Sequence, residues 1–219
     1  MNKTLRYSAT TVTILFTVLF IIGSVQCAHA RRFKAYVKYV IDGDTIVIAN
    51  GEKIRYLGIN APEIPHKDKK GQPFGWKATN FNKKLVLHKW VTIDTRGAGR
   101  DQYGRILAFV FLPNGTLENL LLVKKGLAYC YLNNRTPYIR QFIRAQRMAM
   151  RRHKGIWSLP IKKLVPYYIG DRRSMRFHRP SCKYGRHISR RHKIIFHTAW
   201  QAYWYGYFPC KKCNPTGNQ

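Results

Sequence analysis

Acidic residues are scarce in this chain: 9 Asp and Glu stand against 40 Lys and Arg, a net charge of +31 over 219 residues. That balance points to a polyanionic partner, either nucleic acid or an anionic membrane surface, and charge alone does not separate the two. No internal repeat and no low-complexity tract is present, which excludes a solenoid or a compositionally biased scaffold. The basicity does not signal disorder, because hydrophobic residues make up 45% of the chain and aromatics 14%, enough for a buried core. The length suits one ordinary domain plus a small one.

Residues 1–30 read as a secretory signal peptide or a membrane anchor. Lys3 and Arg6 precede an uncharged stretch from Tyr7 to Ala28, and Ala28-His29-Ala30 offers a small-x-small cleavage site. The stretch is also about long enough to span a bilayer, so a membrane is a partner only if this segment stays uncleaved. Either way the expected location is secreted, periplasmic or cell-surface. No feature points to a protein partner.

From Ala35 to Leu112 short apolar or alternating runs are separated by turn signals, the pattern of strands. The runs are Ala35–Ile41, Ile46–Ile48, Lys53–Ile59, Trp90–Asp94 and Ile106–Leu112, and Asn50-Gly51 between two of them is a hairpin signal. Helices are expected over Phe74–His88, after Thr116 to Gly126, and from Thr136-Pro137 toward Gly155. In the last, Tyr138, Phe142, Ala145 and Ala149 recur at helical spacing as a core face, and Arg140, Arg144, Arg147, Arg151 and Arg152 fall largely elsewhere, as a solvated surface or a nucleic-acid contact. Five strands with three helices suggest an α+β protein built on a five-stranded barrel of the OB type over residues 35–158. A linker over 159–166 and a small domain over 167–215 follow.

With so few acids, their placement is informative. Four of the nine fall in three short motifs that also hold two arginines: Ile41-Asp42-Gly43-Asp44-Thr45, the run from Arg55 to Pro62-Glu63, and Asp101-Gln102-Tyr103-Gly104-Arg105. A hard metal needs oxygen ligands, a hydrolytic water needs a base, and a phosphodiester needs arginine donors. Asp44, Asn60 and the Ala61 carbonyl can hold Ca²⁺ on one rim of the barrel, with Glu63 as general base and Arg55 and Arg105 as phosphate clamps. Read blandly, Asp42-Gly43 is only a turn, Arg55 and Glu63 only an ion pair, and Tyr103-Gly104 only a turn. Tyr129 and Tyr131 can stack on a base or pack on the barrel, and Lys67, Lys69 and Lys70 can meet phosphate or water.

These motifs, in this order and followed by Ile156-Trp157-Ser158, resemble the staphylococcal nuclease family across roughly residues 35–158. The resemblance implies an OB barrel and Ca²⁺-dependent cleavage of DNA and RNA to 3′-phosphate products. It assigns Asp44 as metal ligand, Arg55 and Arg105 as clamps, Glu63 as base, and Asp42 as a group near the metal. Asn60 departs from the pattern, standing where the family usually has a second carboxylate ligand. A neutral amide oxygen still suits Ca²⁺, with a weaker pull. The alternative is a non-catalytic OB-fold protein that holds single strands through charge and stacking.

In the C-terminal segment His178-x3-Cys182 and Cys210-x2-Cys213 give two local ligand pairs, the layout of a structural Zn²⁺ site. Disulfides, Cys210 with Cys213 or Cys130 with Cys182, are the competing reading in an oxidising compartment. Phe177–Cys182 and Phe208–Cys213 resemble the zinc-binding domain of the bacterial DNA-methylphosphotriester repair alkyltransferase. There the first ligand is a methyl-accepting cysteine. His178 cannot play that part, so the resemblance implies the zinc fold and DNA contact without methyl transfer.

Overall fold

A computed structural model describes residues 32–66, 70–133 and 135–217. The expected leader over 1–30 and Lys67 and Lys69 lie outside the described residues. Among those residues no helix is long and apolar enough to cross a membrane.

The first strand, β1 (Arg32–Asp42), closes the barrel by serving two neighbours. Arg32–Tyr36 pair antiparallel with β5 (Trp90–Asp94), and the stretch from Val37 to Asp42 pairs with β2 (Thr45–Ile48). Register shifts between Val37 and Tyr39 and between Val40 and Asp42 bend the strand from one neighbour to the other. With β3 (Lys53–Tyr56) and β6 (Ile106–Phe111) the strands close in the order β1-β2-β3-β6-β5, β3 and β6 running parallel. The alternation seen in the sequence is the barrel's inside and outside: Val37, Ile46, Ile48, Ile54, Tyr56, Val91 and Ile93 are buried.

The third strand is shorter than its apolar run suggests. It stops at Tyr56, and the chain turns through Leu57-Gly58 before β4 (Ile59–Asn60) pairs with β7 (Tyr129–Cys130). Gly58 has φ +78°, and the Phe142 ring lies 3.2 Å from where a Cβ would stand, so the strand breaks where a helix packs on it. This break carries Asn60 off the barrel wall to the site.

Five α-helices accompany the sheets among the described residues: α1 (Gly75–Val86), α2 (Glu118–Lys124), α3 (Ile139–Arg151), α4 (Lys183–Arg186) and α5 (Ala199–Trp204). Neither threonine expected to open a helix does so. Leu117 precedes α2, and Thr136 Oγ1 accepts the Asn133 N–H at 2.8 Å while Tyr138, at φ 61°, precedes α3. The core stripe of α3 is as expected, with Phe142, Ala145 and Ala149 buried, but Gln146 is buried among them. Its Oε1 accepts the Cys130 N–H at 2.8 Å and its Nε2 donates to the Tyr203 carbonyl, tying the barrel to the C-terminal segment. That segment forms a sheet in the order β10-β8-β9-β11, from β8 (Tyr168–Asp171), β9 (Arg176–His178), β10 (Lys193–Phe196) and β11 (Phe208–Pro209). Tyr203 stacks on Tyr129 with ring centroids 5.4 Å apart, so one continuous core runs from the barrel into this sheet.

One acid sits in that core. Glu118, in the first turn of α2, is fully buried, neither carboxylate oxygen has a hydrogen-bond partner among the described residues, and burial pushes it up from 4.5 to about 8. The folded state therefore holds this proton over a range where the unfolded chain loses it. The resulting stability is complete below pH 4.5, falls as pH rises, and is lost by about pH 8, a swing on the order of 3–5 kcal/mol. Glu118→Gln should flatten this slope, becoming the more stable protein at pH 8 by denaturant unfolding. Equal slopes in the two proteins would contradict the assignment.

Candidate active site and metal-binding cluster

The site begins at the corner between β1 and β2. Asp42 and Asp44 are buried there; Asp42 Oδ1 accepts the Asp44 N–H at 2.9 Å, and Thr45 Oγ1 donates to Asp44 Oδ1 at 3.1 Å. Gly43 is required by close approach: a Cβ on it would lie 2.6 Å from the Ala61 Cβ and 2.8 Å from that of Ala78. Its absence lets the corner seat between α1 and the loop after β4. Asn82 of α1 fixes the corner from behind, its Nδ2 donating to the Asp42 carbonyl at 3.1 Å while its Oδ1 accepts from the buried Tyr56 hydroxyl at 3.0 Å.

Thr45 and Arg55 are partners across β2 and β3, which sets the Arg55 guanidinium beside Asp44. Arg55 Nη2 lies 3.1 Å from Asp44 Oδ2 and donates to Asn60 Oδ1 at 3.0 Å, and Nη1 is held by the carbonyls of Tyr56 at 2.6 Å and Ile59 at 3.0 Å. The ion pair made by Arg55 is thus with Asp44. The Ala61 N–H donates to Asp44 Oδ2 at 2.6 Å, so Asp44, Asn60 and Ala61 meet at one point. Asn60 Nδ2 reaches the Ala61 carbonyl at 3.4 Å, a contact that a carboxylate at this position has no proton to make.

Glu63 has an exposed side chain on a braced backbone. Its N–H donates to Gln72 Oε1 at 3.0 Å and its carbonyl accepts the Gln72 N–H at 2.8 Å. Asp42 feels it: burial first, then the charges of Asp44 and Glu63, push Asp42 up to about 7 despite Arg55. Two buried carboxylates that feel the charge of a third, with oxygens of Asn60 and Ala61 nearby, make a setting that a hard divalent cation relieves.

Arg105 reaches the site through Thr45. Its Nε and Nη2 both reach Asp101 Oδ2 at 2.8 Å, its guanidinium lies 5.4 Å from the Tyr103 ring centroid, and Nη1 donates to Thr45 Oγ1 at 3.3 Å. These bonds hold the Asp101 carboxyl below its ordinary range although partial burial works the other way. Thr45 joins the two halves, bonded to Arg105 on one side and Asp44 on the other. Neither Thr45, Gln72 nor Asn82 was singled out from sequence. Thr45 carries a usable signal, adjacency to Asp44; Gln72, nine residues from Glu63, and Asn82, 40 residues from Asp42, carry none.

The two tyrosines of the β7 region divide. Tyr129 is packed by Tyr203, Trp157 and Phe208, and burial pushes its phenol up to about 12. Tyr131 is half-buried, its N–H donating to the Gly58 carbonyl at 2.8 Å and its ring 3.7 Å from the Arg176 guanidinium carbon. Lys70 is exposed. On α3 Arg140, Arg144 and Arg151 are exposed, as is Arg152 just past its end, whereas Arg147 is half-buried, donating to the Trp204 carbonyl at 2.8 Å.

His178, Cys182, Cys210 and Cys213 converge, their ligand atoms all within 4.8 Å of one another and His178 Nδ1 3.5 Å from Cys182 Sγ. A tetrahedral ion with bonds of about 2.0–2.3 Å spans such edges. Burial holds His178 below its ordinary value, keeping the imidazole neutral as a ligand must be, and burial with the neighbouring thiols pushes Cys213 up to about 12. Cys130 lies outside this cluster, fully buried in the core.

A closed barrel in which Asp44, Arg55 and Asn60 meet and Arg105 is joined to them through Thr45 is an arrangement suited to phosphodiester hydrolysis. The family described as "Staphylococcal nuclease homologue" matches residues 53–159. The chain is 36% identical to the thermonuclease of Staphylococcus intermedius, over 56% of this chain and 74% of that protein. It is 41% identical to endonuclease YncB of Bacillus subtilis, over 59% of this chain and 66% of that protein, and 37% identical to an uncharacterized endonuclease of Escherichia coli, over 64% and 86%. The chain belongs to the staphylococcal nuclease family, and its substrates are nucleic acids.

Proposed function

We propose that the protein is a Ca²⁺-dependent endonuclease of DNA and RNA that leaves 3′-phosphates, secreted or held at the cell surface by residues 1–30. In this reading the barrel of residues 35–158 cuts, and the Zn²⁺-bound module of residues 167–215 supports it. The observation that carries the reading is the meeting of Asp44, Asn60 and Ala61 beside Arg55, with Arg105 joined through Thr45 and the charge of Glu63 felt at Asp42.

Asp44, Asn60 Oδ1 and the Ala61 carbonyl would hold Ca²⁺, with Asp42 behind them, and a bound cation supplies positive charge against the phosphate. Glu63, exposed and braced by Gln72, takes the proton from a water attacking phosphorus. Arg55 and Arg105 donate to the non-bridging oxygens, and their hydrogen bonds strengthen as charge builds there. The P–O5′ bond breaks with its electron pair going to O5′, which takes a proton from solvent water, leaving phosphate on the 3′ side and a 5′-hydroxyl on the other fragment. Phosphate at the 5′ ends of the fragments would contradict this direction of attack.

Asn60 sets the calcium requirement. Asn60→Asp adds a charged donor where a neutral one stands, so the Ca²⁺ concentration for half-maximal cleavage should fall about ten-fold, equivalent to about 1.4 kcal/mol. An unchanged requirement would remove Asn60 from the ligand set.

A further inference from the structure

We propose that the C-terminal segment completes the substrate-binding edge of the nuclease site, with Arg176 and Lys211 forming, against Tyr131, a subsite for the phosphate next to the scissile one. The proposal rests on the nuclease reading above. Both cations lie beyond the residues 53–159 that the family match covers.

Tyr131 connects the two regions. Two residues before it, Tyr129 pairs with Asn60 across β7 and β4, and the Tyr131 N–H is bound to the Gly58 carbonyl, so this ring follows the strand that carries Asn60. The Arg176 guanidinium carbon is 3.7 Å from its ring centroid and the Lys211 ammonium 5.7 Å, with Phe208 edge-on at 5.0 Å. Burial works to raise the Tyr131 phenol, yet Arg176, by its charge and by a side-chain hydrogen bond to the phenol, and the charges of Lys211 and Arg55 bring it below the ordinary tyrosine range. The charge of Arg55, at the scissile position, and those of the C-terminal cations therefore fall on one phenol.

No carboxylate lies within ion-pair distance of Arg176 or Lys211 among the described residues. Arg176 is preorganised, its Nη1 bound to the carbonyls of Leu132 at 2.8 Å, Ser174 at 3.0 Å and Met175 at 3.2 Å. Lys211 is exposed and lies between Cys210 and Cys213; Arg176 lies two residues before His178, and β9 and β11 pair Arg176 with Phe208. A metal held by the cysteine and histidine cluster would fix the backbone of both cations. Arg176, held by three carbonyls and the Tyr131 phenol, and the exposed Lys211 bring to this aromatic face positive charge that no carboxylate among the described residues neutralises, and beside a phosphate clamp that suits a second phosphate of the same strand.

The test is a calorimetric titration of the full chain carrying Glu63→Gln, so that nothing is cut, with a DNA dinucleotide and a trinucleotide that adds one phosphate. Lys211→Glu should lower the trinucleotide-to-dinucleotide affinity ratio about ten-fold, Arg176→Gln should lower it comparably, and Lys211→Arg should restore it. Lys211 is exposed, so its variants remain readable even where Arg176→Gln, having lost three carbonyl contacts, fails to fold. A ratio unmoved by Lys211→Glu, or failure of both oligonucleotides to bind, overturns the proposal. Cleavage by the unmodified chain judges the nuclease reading separately.

Discussion

Glu63→Gln should lower kcat for DNA cleavage by about 10³-fold while the fold and the salt-dependent binding of DNA survive. The change is close to isosteric, the side chain is exposed, and what braces this loop is backbone: the Glu63 N–H and carbonyl bound to Gln72. Gln lacks the basic oxygen that accepts a proton from water, so chemistry is lost and positioning is kept. Arg105→Ala should cost about 10²–10³ in kcat, the scale for removing one fixed donor to a developing charge. Its effect should not be repaired by Lys, because the guanidinium serves Asp101 and Thr45 through three different nitrogens at once. Thermal melts within a few degrees of the parent would confirm that activity and not folding was removed. Full activity in both variants would refute the assigned roles.

On the zinc reading proposed above, removing metal from the His178, Cys182, Cys210 and Cys213 cluster should have the largest effect on stability. The segment's elements are short, with strands of two to four residues and helices of four and six, and such elements need a staple to persist. Structural zinc contributes on the order of 10 kcal/mol to the fold it ties together. A zinc-selective chelator should therefore loosen residues 167–217, read as fast amide exchange there, while the barrel strands stay protected. Because Tyr203 and Phe208 pack on Tyr129, the loss should reach β7 and weaken cleavage as well. Purified protein with no zinc and two disulfide bridges would end this assignment.

The barrel was legible because its strands alternate and its turns carry their own chemistry, as Asn50-Gly51 does with Gly51 at φ 87°. Asp42, Asp44, Arg55, Glu63, Asp101 and Arg105 stood out since acids are otherwise rare in this chain, and the convergence of His178, Cys182, Cys210 and Cys213 through its paired spacing. What stayed hidden depends on partners distant in sequence. The break after Tyr56 reflects Phe142 packing over Gly58, some eighty positions on. Tyr129 reads from sequence as a base-stacking residue as readily as a core one; its position against Tyr203 is decided by a segment whose own fold the local pattern does not reveal. Gln146 looks like a polar interruption in an apolar stripe, and only the structure shows its two backbone partners.

The most direct test is cleavage of single-stranded DNA, duplex DNA and RNA by the full chain across a Ca²⁺ titration, beside a calcium-selective chelator and the Glu63→Gln variant. Cleavage that rises to saturation with Ca²⁺, vanishes in chelator and is lost in the variant is the expected result. Tight binding with no cleavage at any Ca²⁺ concentration, or cleavage undiminished by the chelator, would contradict a calcium-dependent nuclease with Glu63 as its base.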